Sequence, residues 1–405
     1  MMHPPFARAL LTVCLFMAAC ATPAREPIVT PLPNPAPAGS RTPNLATGPD
    51  GTTYLTWQRS DSAAAGLYFA PFIADAWQTP APIAAGVDAF VNWADFPALA
   101  AQRDGRLLAH YLDRQPAGGY AYDIALVHSR DRGASWSAPT LANTDGTPTE
   151  HGFVSILPWE TDGFFLTWLD GRQTGGEPAG AMSLRAAFTD ADGRVTEEVL
   201  LDDRTCDCCQ TGAAWTGSSL IVVYRDRSDA EVRDIYYTRL ADGDWSAPAP
   251  VHRDGWEIEG CPVNGPVVDG LAPAVVAAWF TAAGDAPKVL AAVSTDDGIS
   301  FADPLVVDDA SPIGRVAIRM LDARSAMVVW LARSGDEAML TARVIAWDAA
   351  GRATAQPAFP IAPVSAQRNS GFPRLADAGD RLMVAWTDLD ASGATSVRTA
   401  LIDRP

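Results

Sequence analysis

The chain has 405 residues, 48% of them hydrophobic and only 19% charged, which supplies ample apolar material for a core. Thirty basic residues against 48 acidic ones give a formal net charge of −18, without the clustered positive charge that nucleic acid and anionic membrane surfaces require. Lys288 is the only lysine, so Schiff-base chemistry has a single candidate, and 32 glycines with 32 prolines mark a chain punctuated by turns.

Residues 1–19 read as an export signal. Arg8 precedes an apolar run, Ala9 to Ala19, that is too short to span a bilayer and suits a secretory signal. The small residues before Cys20 have the pattern of a bacterial lipobox, in which the cysteine becomes the lipid-bearing first residue; an ordinary signal peptide with an incidental cysteine is the other reading. Ala21 and Thr22 stand where an Asp would direct retention at the inner membrane, so the expected address is the outer membrane, facing the periplasm. Residues 20–40 are rich in Pro and Ala and read as an extended tether. Membrane contact is expected through the anchor only.

From residue 41 to 405 the dominant signal is internal repetition. Short apolar strands end in an aromatic: Trp57, Tyr111, Trp168, Tyr224, Trp279, Trp330 and Trp386, spaced by 51 to 57 residues. A shorter strand precedes each aromatic, and Asp50-Gly51, Asp104-Gly105 and Asp162-Gly163 supply turns between the two. Four short strands per unit, repeated radially, predict an all-β propeller of seven blades, with six as the alternative if one unit is absorbed irregularly. The seventh unit ends without an outer strand, and a strand from about residue 26 to 32 can supply it, so that the termini close one blade.

Two segments carry a more specific motif. Ser129-Arg130-Asp131-Arg132-Gly133-Ala134-Ser135-Trp136 fits S-x-D-x-G-x-x-W, and Ser294 to Phe301 fits it with Phe in place of Trp. Asp242 to Pro248 and Trp77 to Pro80 are degenerate copies. In such a hairpin the Asp accepts from backbone N–H groups, the Gly takes a positive φ and the aromatic packs back on the blade. These segments resemble the Asp-boxes, or bacterial neuraminidase repeats, of the sialidase superfamily. The resemblance implies a sialidase-like propeller, boxes between outer strands, and functional residues where inner strands begin around the channel.

Those positions hold Asn92, Trp93 and Asp95; Glu150 and His151; Cys206, Asp207, Cys208 and Cys209; Cys261 and Asn264; Arg315; and Arg368 with Asn369. In a sialidase, Arg41, which opens an R-T-P segment similar to the family's R-I-P, would join Arg315 and Arg368 in gripping a carboxylate, with Asp95 as the acid. The sequence departs from that pattern: the middle residue is Thr42, and no Tyr lies at an inner-strand start to act as nucleophile.

Cys206, Cys208, Cys209 and Cys261 form the second candidate site, just upstream of the fourth and fifth inner strands. Three readings stand: a disulfide joining two blades, as suits an oxidising compartment; a soft-metal site for copper or zinc, with His151 adding a nitrogen; or a redox thiol pair. The sequence therefore predicts an exported propeller that binds a small molecule, glycan or metal at the channel mouth, with a glycoside hydrolase for acidic sugars and a protein scaffold as alternatives.

Overall fold

The computed structural model describes residues 26–60, 65–176, 180–335 and 337–405. The proposed export signal, the Cys20 anchor and the first part of the tether lie outside the described residues. Seven antiparallel sheets of four or five strands follow one another in a ring. Their inner strands are Arg41–Thr47, Leu99–Ala101, His151–Trp159, Gly212–Trp215, Val267–Leu271, Gly314–Asp322 and Gly371–Ala378. Each touches the next, and the last touches the first, around a central channel of about 630 Å³. Among the described residues the only helical element is a single 3-10 turn, Ala283–Asp285, and no helix is long and apolar enough to cross a membrane.

The ring is closed by the N-terminal segment. Val29–Leu32 pairs antiparallel with Thr395–Asp403, from Val29 opposite Ile402 to Leu32 opposite Thr399, and completes blade seven. Without it the last strand would present an unpaired edge.

All seven repeated aromatics sit on the second strand of their blade and are buried. They do two things. In blades one, three, six and seven the inner strand bulges opposite the tryptophan, so that Thr42-Pro43, Phe153-Val154, Arg315-Val316 and Phe372-Pro373 each face one residue, Trp57, Trp168, Trp330 or Trp386. At each bulge the first residue takes a left-handed conformation, φ 51° at Thr42, 56° at Phe153, 55° at Arg315 and 55° at Phe372. A bulge re-aims the side chains on its strand, and here it does so at the channel entrance.

The aromatics also tie blades together. The Tyr224 hydroxyl donates to Asp202 Oδ2 at 2.5 Å, Trp279 Nε1 to Asp254 Oδ2 at 2.7 Å and Trp330 Nε1 to Asp308 Oδ2 at 2.6 Å, each Asp lying in or just after the outer strand of the preceding blade. The apolar packing follows the same logic: seven clusters of buried side chains occupy the seven junctions between neighbouring blades.

The two Asp-boxes follow the third strands of blades two and five. Asp131 Oδ1 accepts from Ser135 N at 2.8 Å and Asp296 Oδ1 from Ser300 N at 3.0 Å. The aromatics differ from the expectation in one respect: they pack on the preceding blade. Trp136 meets Phe69 at 5.7 Å and Phe301 meets Tyr237 at 4.9 Å. A Cβ on Gly133 would lie 2.3 Å from Phe69 Cζ, so this glycine is required by close approach as well as by its φ of 87°.

Candidate functional site

The loops that enter blades two to four, with the bulges of blades three, six and seven, build the channel mouth. Asp95 lies upstream of the second inner strand and lines the channel, almost fully buried. Its Oδ2 accepts from Phe153 N at 2.8 Å, a contact set by the blade-three bulge, whereas Oδ1 is buried without a partner. Gly152 makes the approach feasible, because a Cβ there would stand 2.2 Å from Asp95 Oδ2. Burial pushes the Asp95 carboxyl up to about 7, against the Phe153 N–H, with Glu150 adding to the rise and the Arg374 guanidinium opposing it.

Beside it stands a pair the sequence did not disclose. The Tyr122 hydroxyl donates to Glu150 Oε1 at 2.5 Å. Burial raises Glu150 to about 7, and burial with Asp95 and Glu150 raises Tyr122 well above its ordinary value. Tyr122 opens the third strand of blade two and stacks on Phe90 at 4.4 Å. It lies on a third strand rather than at an inner-strand start, 28 residues before Glu150, so position along the chain does not reveal the pair.

Three arginines approach the mouth, each on an aromatic ring. Arg315 lies over Phe372 at 4.7 Å, Arg368 over Trp93 at 4.8 Å and Arg374 over Phe96 at 4.3 Å. Burial, reinforced by Arg368, lowers Arg315 to about 10; burial lowers Arg374 to about 10, with Asp95 opposing. Arg315 Nη1 is committed to the carbonyls of Gln367, at 3.1 Å, and Ser370. Arg41 opens the inner strand of blade one, where its Nε is buried without a hydrogen-bond partner. The structure thus brings together Asp95, Arg315 and Arg368 and adds Arg374.

The structure places the cysteines in two locations. Cys206, Cys208 and Cys209 lie in the turn between Val195–Thr205 and Gly212–Trp215, with the Cys206 sulfur 4.0 Å from that of Cys208 and 3.6 Å from that of Cys209. Cys206 N donates to Arg225 O at 3.0 Å, fixing the turn to blade four. Arg233 Nη1 donates to the Cys206 sulfur at 3.2 Å. Hydrogen bonding with the Cys208 and Cys209 thiols, with Arg225 nearby, holds Cys206 well below the ordinary thiol range, whereas burial pushes Cys209 up. Cys261 is exposed and outside this group, and all four are free thiols.

His151 belongs to a different group, with Asp145 and Asp170. Its Nδ1 is 3.1 Å from the Tyr122 carbonyl, and Nε2 is 3.2 Å from Asp145 and 3.8 Å from Asp170. Asp170 is also held by Arg172, at 2.7 Å from both Nε and Nη2, which makes this cluster a clamp between blades two and three.

The family model described as "BNR repeat-like domain" matches residues 63–348. No curated protein matches. Among solved structures, an ulvan lyase from a polysaccharide lyase family is similar with a TM-score of 0.59 at 14% identity, over 92% of this chain and 96% of that one. An α-L-arabinanase from Penicillium chrysogenum is similar with a TM-score of 0.51 at 14% identity, over 94% and 99% of the two chains. The intramolecular trans-sialidase from Ruminococcus gnavus is similar with a TM-score of 0.51 at 9% identity, over 90% and 94%. At these identities the likeness is one of fold. A match spanning most of the chain, with seven blades and Asp-boxes in place, means that the chain belongs to the BNR repeat-like family of sialidase-like propellers.

Proposed function

We propose that this propeller binds an acidic saccharide at its channel mouth and that Asp95 transfers a proton there. One observation carries the reading: a buried carboxyl held near 7, with one oxygen fixed by Phe153 N and the other unpartnered, lines a channel together with Arg374, and Arg315 and Arg368 stand close to each other at the same mouth. A group with its pKa near neutrality can both give and take a proton under working conditions. Arginines supply the fork that matches a carboxylate, and Trp93, exposed in part beneath Arg368, offers a face for a sugar ring. In an otherwise acidic chain this is a local concentration of positive charge. The ulvan lyase named above has been solved bound to GlcA(1-4)Rha3S, an acidic saccharide, which supports the same ligand class here.

The Tyr122–Glu150 pair is fully covered at the tyrosine, so sialidase chemistry is not the reading favoured. Calorimetry with uronic-acid oligosaccharides and neutral counterparts tests binding; the acidic series is expected to bind, and Arg368→Ala to weaken it about tenfold. Asp95→Asn is expected to preserve binding and lower turnover about 10²–10⁴-fold. New absorbance from an unsaturated product marks elimination, and new reducing ends without it mark hydrolysis. Equal affinity for neutral and acidic sugars, or turnover indifferent to Asp95→Asn, would overturn the reading.

We propose further that the protein is exported and anchored through Cys20 to the outer membrane. The composition of residues 1–40 supports this. Metabolic labelling with palmitate, abolished in Cys20→Ser, is the expected result.

A further inference from the structure

We infer that Cys206, Cys208 and Cys209 form a three-sulfur site for a thiophilic metal ion of closed d-shell, Cu(I) or Zn(II). The inference is independent of the saccharide reading, since it rests on a different loop and different side chains.

The spacing of the sulfurs is the first observation. Ligands at about 2.3 Å from a common ion with tetrahedral angles stand about 3.8 Å apart. The separations are 4.0 Å for Cys206–Cys208 and 3.6 Å for Cys206–Cys209, and all three sulfurs lie within 4.8 Å of one another. They are close enough to share one centre and too far apart to be bonded to each other.

Charge is the second. Arg225 and Arg233 are buried, at 1% and 3% exposure. Arg225 donates to the carbonyls of Arg233, Asn264 and Phe280 at 2.6–2.8 Å and lies over Trp256, and among the described residues it has no ion pair with a carboxylate. A buried cation with only neutral partners is costly unless an anion lies close by. Three thiolates around a monovalent or divalent ion carry a net −2 or −1; Arg225 offsets part of that charge, while Arg233 reaches Cys206 Sγ at 3.2 Å and is also paired with Glu231 at 2.7 Å. Thiolate sulfur also selects these ions over the hard cations that carboxylates take.

Rigidity is the third. The turn is fixed at Cys206 N by blade four, and the isolated bridge between Thr205 and Asp226 anchors it on its outer side. The donors are therefore placed by the propeller rather than gathered by the ion. No carboxylate or imidazole among the described residues joins the three sulfurs as a fourth ligand. That leaves Cu(I) three-coordinate, and Zn(II) with a position for water or an added ligand.

The full-length protein is titrated with Zn(II) and, anaerobically, with Cu(I), following bound metal and thiol reactivity together. The expected result is one ion per chain and protection of three thiols, with Cys261 remaining reactive. The ion that survives competition by a chelator of known affinity identifies the metal. Cys208→Ser, at the half-exposed sulfur, is expected to weaken binding by more than the ~10–100-fold that changes outside the ligand set produce, with the fold intact by circular dichroism. Cys261→Ser is expected to bind as the parent does. Arg233→Lys is expected to weaken binding about tenfold without altering stoichiometry. Failure of both ions to protect the three thiols, binding unchanged in Cys208→Ser, or a Cys206–Cys209 disulfide in protein isolated from the cell envelope would each overturn the site. None of these outcomes bears on saccharide binding, which is read separately.

Discussion

Asp95 illustrates how one buried group ties stability to the chemistry proposed for it. Burial raises its carboxyl to about 7. Below pH ~4 it is protonated in both the folded and unfolded chain and contributes no pH dependence. Between about 4 and 7 the unfolded chain releases this proton while the folded one retains it, so stability falls as pH rises across that window and levels off above it. Glu150, also raised to about 7, acts in the same direction. The two together are expected to lower stability by on the order of 7 kcal/mol from pH 4 to pH 8. Urea unfolding across pH should show a shallower decline in Asp95→Asn; an identical slope would place the titrating groups elsewhere. At the same scale, Gly152→Ala should displace the Asp95 carboxyl, because the new Cβ would meet Oδ2 at 2.2 Å. The expected outcome is a loss of turnover exceeding the loss of stability, measured side by side.

Among elements, the second Asp-box shows what these hairpins do for the ring. Asp297, within the box of blade five, accepts from Thr216 Oγ1 at 2.5 Å, Ser218 Oγ at 2.7 Å, Ser219 Oγ at 2.5 Å and Arg239 Nη2 at 3.0 Å, all on blade four. The box is thus a latch to the preceding blade as well as a turn. Asp297→Ala should cost about 2–3 kcal/mol, since three hydroxyls and a guanidinium lose a charged acceptor at a partly buried site. The denaturation midpoint should fall with the m-value unchanged; an effect below ~0.5 kcal/mol would mean that water replaces the carboxylate without loss. The bulges behave comparably as devices. Residues of unlike chemistry, Thr42, Phe153, Arg315 and Phe372, share one strained backbone conformation at the four bulges, so there the conformation belongs to the bulged strand and the side chain is free to vary.

For the whole molecule, closure by Val29–Leu32 decides whether the ring has an edge. Deleting residues 1–32 removes a four-residue ladder and the hydrogen bond from Thr399 Oγ1 to the Leu32 carbonyl at 2.9 Å. A loss of about 2–4 kcal/mol is expected from these bonds. The exposed Thr395–Asp403 strand should also promote concentration-dependent association, detectable by size-exclusion chromatography. An unchanged melting temperature and a monomer at all concentrations would show that the seven inter-blade cores hold the ring without it.

The repeat was legible in the sequence because burial of one aromatic per blade is a local requirement, satisfied at nearly constant spacing from Trp57 to Trp386. The Asp-boxes were legible for a similar reason, since Ser129, Asp131 and Gly133 complete their turn among themselves. The strand that closes blade seven could be inferred because an unfilled edge is costly. The site was legible only in part. Asp95, Arg315, Arg368 and the three clustered cysteines were within reach, because each lies close in sequence to an inner-strand start. The pairing of Tyr122 with Glu150, the role of Arg374, the isolation of Cys261 and the attachment of His151 to Asp145 and Asp170 were not. These depend on how neighbouring blades are rotated and on which way each bulge turns a side chain. That is settled by packing between sheets from distant parts of the chain, and residue spacing along the chain carries no record of it.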